Sequence, residues 1–112
     1  MKYLVQSTVV ESHVPWGDQD ALTAHLERVV ATHKRVIQLE KEGKVLAAGV
    51  PCARRAYTLI VDVAGNKELT EVLRSLPAWP SQDMTCTPLY DLEDQLATDG
   101  GMLEKLKAGA KS

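Results

Sequence analysis

The stretch DQDALTAHLERVVATHKRVIQLEKEG, residues 18–43, predicts one long amphipathic helix, capped by Asp18 or Asp20 and ended by Gly43. At about 100° per residue, its apolar side chains share one face: Leu22, Leu26, Val29, Val36 and Ile37. His33 interrupts the centre of this stripe, and Glu40 lies on it near the C-terminal end. An imidazole where the pattern asks for Leu or Val must be satisfied by a partner or used chemically. His33 is therefore the first candidate functional residue.

The rest of the chain supplies four predicted strands and a second helix. The strands are predicted at residues 2–10, 44–49, 56–63 and 84–89, and the helix at residues 66–76 with Asn66 as its cap. Alternation in AYTLIVDV places Tyr57, Leu59, Val61 and Val63 on one buried face. Pro88 predicts that the last strand lies at an edge or ends there. The resulting order, β-α-β-β-α-β, is the ferredoxin-like α+β sandwich.

The predicted sheet has one face that its own helices do not cover. Two helices can shield only one side of four strands, and the mixed apolar character of strands one and three favours a second copy on the other side. We therefore expect residues 1–90 to form one domain of an obligate homodimer or larger homo-oligomer. The remaining residues, 91–112, are predicted to be a tail of two short helices broken at Gly100-Gly101, with frayed final residues. Its apolar side chains are expected to pack on a neighbouring subunit unless the tail is partly disordered: Leu92, Leu96, Met102, Leu103 and Leu106.

Composition argues against several classes of function. The net charge is −2, so no basic surface for nucleic acid or for an acidic membrane is expected. Neither a signal peptide nor an apolar run of membrane-spanning length is recognisable, which favours a cytoplasmic protein. Cys52 and Cys86 lack metal-ligand spacing and are expected to be a reduced pair, and His13 and His25 have no partner at such spacing. No metal and no cofactor are predicted.

Several segments between residues 39 and 89 resemble the muconolactone isomerase family. LEKEG closes the first helix in the family's manner, AYTLIVDV resembles its central strand, and KELTEVLRSLPAWPSQDM resembles its second helix and following loop. That loop carries a two-proline element: Leu76, Pro77, Pro80 and Asp83. The resemblance implies a dimeric α+β barrel and a role in aromatic compound catabolism. It also implies a cofactor-free isomerase that shifts a proton in a small unsaturated lactone or conjugated carbonyl compound.

A more distant likeness is to the YCII-related family, which shares the barrel. THKRVIQLEKEGKVLAAGVP fits its pattern with His33 on the motif's histidine, but Leu76-Pro77 stands where that family usually has Asp-Pro. The second strand, residues 47–50, also lacks the bulky aromatic and basic residues of muconolactone isomerases, which implies a different pocket and substrate. The alternatives are a polyketide cyclase, a YCII-like lyase or hydrolase, and a small-ligand-binding module without catalysis.

Five residues are candidates for the proposed chemistry. A proton shift needs a base and a group that stabilises enolate-like charge, so His33 is the candidate base and Tyr57 the candidate donor. Arg54 or Arg55 can bind a substrate carboxylate through paired hydrogen bonds. Glu40, about 10 Å beyond His33 along the helix, completes the substrate-binding set or simply reaches solvent. The structural alternatives are a core histidine, a core-edge tyrosine and solvated arginines.

Overall fold

The structure, a computed structural model, describes residues 1–110. It confirms the ferredoxin-like α+β order and adds a third helix. The elements are β1 (Lys2–Val9), α1 (Gln19–Lys41), β2 (Val45–Gly49), β3 (Ala56–Asp62), α2 (Asn66–Arg74), β4 (Gln82–Leu89) and α3 (Leu92–Ala110). Short 3₁₀ turns at Glu11–His13 and Trp79–Ser81 lie in the connections after β1 and before β4. The predicted fraying of the chain's last residues falls partly on residues 111 and 112, outside the described range.

The four strands form one antiparallel sheet in the order β2-β3-β1-β4. β1 is central, and its Val5 lies between Leu59 of β3 and Cys86 of β4. β4 begins at Gln82, two residues earlier than predicted, and it is an edge strand, as the position of Pro88 indicated. A proline fits there because an edge strand has one side that makes no ladder hydrogen bonds.

The core lies between one face of the sheet and the helices α1 and α2. It contains alternate residues of β1 and β3 and the inward faces of the two helices: Tyr3, Val5, Val36, Leu39, Val45, Leu59, Val61, Val63, Leu69, Val72, Leu73 and Leu76. On the opposite face, Leu4 of β1 pairs with Ile60 of β3 and Thr87 of β4. All three helices of residues 1–110 leave this face without buried apolar cover, so a second copy there stays a prediction.

Helix α1 begins and ends as the sequence indicates. The Asp18 carboxylate accepts a hydrogen bond from the Ala21 amide at 3.0 Å, and Gly43 takes a φ of 78° just beyond the last turn. A left-handed φ suits glycine because a Cβ there would approach the neighbouring carbonyl. These two residues set the length of the helix that carries His33.

The predicted buried stripe of α1 is wrong by about one residue position. The side chains that are buried belong to His25, Thr32, Val36 and Leu39, whereas Leu26 and Ile37 are each 53% exposed. Thr32 explains the rotation: its hydroxyl donates to the Arg28 carbonyl at 2.7 Å and accepts from the Ala78 amide at 2.9 Å. The hydrogen bond to the Ala78 amide turns Thr32 toward the core. His33 therefore lies beside the buried face of the helix instead of at its centre.

Asn66 does not cap α2, contrary to the prediction. Gly65 occupies the capping position, and the Asn66 side chain instead accepts a hydrogen bond from the Tyr3 hydroxyl at 2.6 Å. The ring of Tyr3 is buried in the core, and its hydroxyl needs a partner there. The asparagine therefore satisfies a core tyrosine in place of a helix end.

Thr32→Val is expected to lower the free energy of unfolding by about 1–3 kcal/mol, because the Ala78 amide loses its acceptor in a buried place. Denaturant-induced unfolding measures the difference. Thr32→Ser retains the hydroxyl and is expected to lose less than Thr32→Val. Equal stability of Thr32→Val and wild type would contradict the assigned role of this bond.

The tail is one continuous helix, so the predicted break at Gly100-Gly101 is wrong. Each glycine costs about 1 kcal/mol in a helix interior but still donates and accepts the helical hydrogen bonds, and good helix formers flank the pair. α3 has no buried residue, and the longest dimension of the molecule is 75 Å. Among residues 1–110, no helix has the length and apolar character needed to cross a membrane.

Candidate active site

A cavity of about 420 Å³ lies between the first half of α1, the loop after β1 and the start of β3. Most of its wall is apolar, with Val9, Val14, Leu22, Leu26, Val29 and Val50 among the lining residues. Four of the five predicted site residues also line it: His33, Arg54, Arg55 and Tyr57. Glu40 does not, because it lies seven residues further along α1 and is exposed. The cavity therefore brings together residues from positions 9 to 82 of the chain.

His33 and Tyr57 form a hydrogen-bonded pair across the helix–sheet boundary. The Tyr57 hydroxyl lies 2.6 Å from Nδ1 of His33, and the ring centroids are 5.4 Å apart with an interplanar angle of 56°. Tyr57 projects from the helix-facing side of β3, as predicted, and is half-buried. His33 is exposed, not partly buried as its place in the predicted stripe indicated, because α1 is rotated. Its ring nevertheless lies against the sheet at the rim of the cavity.

The direction of this hydrogen bond decides what His33 can do. If Nδ1 carries the proton and donates to Tyr57, then Nε2 has a free lone pair and the phenol proton points elsewhere. If Tyr57 donates to Nδ1, then Nε2 carries the proton and acts as a donor. Base catalysis at Nε2 requires the first arrangement, in which Tyr57 also has a proton to donate to a ligand.

Burial raises the pKa of Tyr57 from 10.0 to about 12. In the unfolded chain the phenol ionises near 10, so between pH 10 and about 12 the unfolded state binds fewer protons than the folded state. Stability contributed by the neutral phenol is therefore fully present below pH 10 and is lost as the pH rises toward 12. At neutral pH Tyr57 remains a hydrogen-bond donor.

We expect an ultraviolet titration to show one tyrosine ionising near pH 12 in the folded protein. Tyr57→Phe is expected to remove that transition and leave the other tyrosine transitions unchanged. If wild type and Tyr57→Phe showed the same transition at high pH, the assignment of that transition to Tyr57 would be contradicted.

The two arginines differ in what they already bind. Nη1 of Arg55 lies 2.8 Å from Oε1 of Glu11, and its guanidinium stacks over the Trp16 ring at 4.8 Å from the centroid. These contacts hold the loop after β1 against the start of β3. The Arg54 side chain makes no ion pair or hydrogen bond within residues 1–110. Arg54 is therefore the cation available to an anionic ligand.

Two polar residues of the cavity wall were missed at the sequence level. His25 is only 4% exposed, and within residues 1–110 its ring has no hydrogen-bond partner. Gln82 accepts from the Ser7 hydroxyl through Oε1, while its buried Nε2 has no partner in the described chain. Buried polar atoms are usually satisfied, so the unpaired Nε2 of Gln82 is an exception beside this cavity. The position of His25 three residues after Leu22 and four before Val29 was a usable signal, whereas nothing in the sequence pointed to Gln82.

The fold and the cavity define a class: a ferredoxin-like α+β protein with an apolar cavity, one histidine–tyrosine pair and one free arginine. Among residues 1–110, no group of three or more His, Cys, Asp or Glu side chains is placed to hold a metal ion. Cys52 and Cys86 are both exposed and unbridged.

Comparison with known proteins gives the family. The chain matches the muconolactone delta-isomerase family over residues 1–94 and belongs to it. Its fold is similar to that in a crystal structure of muconolactone isomerase, with a TM-score of 0.66 and 21% sequence identity, over 81% of this chain and 90% of that one. A comparison with curated proteins finds no match. The family resemblance indicated by the segments between residues 39 and 89 is thereby confirmed.

Proposed function

We propose that this protein is a cofactor-independent isomerase that moves a proton within a small unsaturated lactone or conjugated carbonyl compound. The observation that carries the proposal is the 2.6 Å hydrogen bond between His33 and Tyr57 in the wall of an apolar cavity. Membership of the muconolactone delta-isomerase family supports the reaction class. The reaction needs only a base, an oxyanion donor and a binding pocket, and the wall of the cavity offers a residue for each.

In the proposed mechanism, Nε2 of His33 takes the proton from the carbon next to the carbonyl group. The electron pair of the broken C–H bond moves into the conjugated system as an enolate, whose oxygen accepts a hydrogen bond from Tyr57. Histidinium then returns a proton to a different carbon, and the double bond shifts. Because the histidine regains its starting state and no electrons leave the substrate, the step is balanced without an oxidant or reductant.

Substrate selection in this proposal depends on Arg54 and the apolar wall. The guanidinium of Arg54 binds a carboxylate on the substrate, since charge-assisted hydrogen bonds of this kind are strong and directional. The cavity volume of about 420 Å³ suits a compact ring compound. Glu40 has no part in this mechanism.

We also propose that the chain acts as a homodimer or larger homo-oligomer. The support is the sheet face that carries Leu4 and Ile60, which the described helices leave without cover. Leu4 and Ile60 lie among polar residues of this face such as Gln6 and Thr58, and large apolar side chains in the middle of a sheet face are normally buried against another surface. A second copy satisfies this requirement for both chains at once.

The experiment is proton exchange followed by NMR in D₂O, with muconolactone and a series of unsaturated lactone carboxylates and a chelator present. The expected result is a shifted double bond with solvent deuterium on the carbon that receives the proton. Hydrolysis or fragmentation products would replace the proposal with the hydrolase or lyase alternative. Saturable binding without exchange across the series would make the protein a binding module.

A further inference from the structure

Helix α3 lies almost wholly beyond the family match, which ends at residue 94. It has no buried residue, and its large apolar side chains face solvent: Leu92 is 85% exposed and Leu96 72%. Nineteen residues with two adjacent internal glycines form only a marginal helix in water, because most helix stability in proteins comes from packing of an apolar face. The helix therefore requires a partner that the single chain does not provide.

Five apolar side chains of α3, together with Asp99, follow a heptad pattern. Leu92, Leu96, Asp99, Leu103, Leu106 and Ala110 are spaced alternately four and three residues apart. This is the a/d spacing of a two-helix seam, in which side chains of one helix fit between those of a facing helix. We call these six positions the α3 seam. Such a seam fits another helix with the same spacing better than it fits a flat sheet.

We infer that α3 pairs in antiparallel orientation with α3 of a second copy of this chain, about a two-fold axis at the level of Gly101. In this register Leu92 faces Ala110, Leu96 faces Leu106, and Asp99 faces Leu103, so each Asp99 carboxylate lies opposite a leucine and not opposite another charge. A shift by one heptad in either direction would leave two positions of each seam unmatched. Full use of the seam therefore selects this one register.

Charge favours the antiparallel orientation. Acidic Glu93 lies in the first turn of α3 and basic Lys107 in the last. Antiparallel pairing brings Glu93 next to Lys107 of the second copy along the same edge, and it also opposes the two helix dipoles. Parallel pairing would instead place the two Asp99 carboxylates directly opposite each other in the seam, whereas antiparallel pairing offsets them by about 6 Å along the axis. Like charges at close range in an apolar seam are costly.

Cross-linking distinguishes the orientations because they bring different residues together. In the antiparallel pair, the two copies of Met102 flank the two-fold axis, while the two copies of Leu96 are about 15 Å apart along it. In a parallel pair, the two copies of Leu96 would lie in the same layer. With Cys52 and Cys86 replaced by serine, the probe is a bis-maleimide shorter than the Leu96 separation, applied to Met102→Cys and to Leu96→Cys. These side chains are exposed, so the substitutions leave the core of residues 1–90 unchanged.

The expected result is a covalent dimer from Met102→Cys and none from Leu96→Cys. Adding Leu103→Asp to the Met102→Cys variant should abolish the cross-link, because it places a second carboxylate directly opposite Asp99 of the facing helix. Adding Ala97→Asp, on the opposite face of α3, should leave it unchanged. Cross-linking of Leu96→Cys, or of neither variant, would overturn the inference.

Discussion

His33→Ala is expected to lower kcat for the proton shift by roughly 10²–10⁴-fold, the usual contribution of a positioned acid–base group. The physical reason is that the cavity wall then lacks the ring hydrogen-bonded to Tyr57, and a phenol held neutral by burial cannot replace it as a base near neutral pH. Substrate binding should change little, because Arg54 and the apolar wall remain. Steady-state kinetics with the substrate identified by the exchange experiment measures kcat and KM separately.

His13→Ala is the matched control for this prediction. His13 is an exposed histidine of the turn Glu11–His13 and does not line the cavity, so its loss should leave kcat within about twofold of wild type. A His33→Ala variant that keeps more than half of the wild-type kcat would remove the assignment of His33 as base. In that case His25, the other histidine of the wall, becomes the candidate.

Arg54→Met is expected to lower kcat/KM for a carboxylate substrate by roughly tenfold to a hundredfold, mainly through KM. The estimate corresponds to the loss of about 1.5–3 kcal/mol for a hydrogen bond to a charged group. The effect should fall on binding because the guanidinium holds a part of the substrate that does not react. A methyl ester of the same substrate lacks the charge, so the variant and wild type should process it at similar rates.

Arg55→Met is the control that distinguishes binding of the substrate carboxylate by Arg54 from a general loss of positive charge. Arg55 is occupied by Glu11 and Trp16, so its substitution should affect the stability of the loop more than KM. Equal KM changes in the two variants would show that both arginines bind the substrate. An unchanged KM in Arg54→Met would leave the anion site without its proposed cation.

The order of elements was predictable because local patterns report it directly. Alternation in AYTLIVDV, the Asp18 cap, Gly43 and the prolines after Leu76 each depend on residues close together in the chain. The break at Gly100-Gly101 was wrongly predicted because glycine weakens a helix without removing its hydrogen bonds. The two glycines were thus treated as if they ended the helix, as a proline does, although they only weaken it.

The candidate site was predictable only in part. His33 was recognisable as a polar residue in an apolar stripe, and Tyr57 by its place on the buried face of a strand. The distinction between Arg54 and Arg55 was not predictable from the sequence, because it depends on Glu11, more than forty residues away in the chain. The unpaired amide of Gln82 likewise depends on Ser7, in the neighbouring strand.

The sequence by itself determined the element order, the ends of α1 and the resemblance to the family. The tertiary structure decided the rotation of α1, and with it which of its polar residues face the cavity. Helical periodicity leaves an uncertainty of about one residue in that rotation, whereas the bond from Thr32 to the Ala78 amide removes it. Contacts between distant segments therefore decided which residues line the cavity.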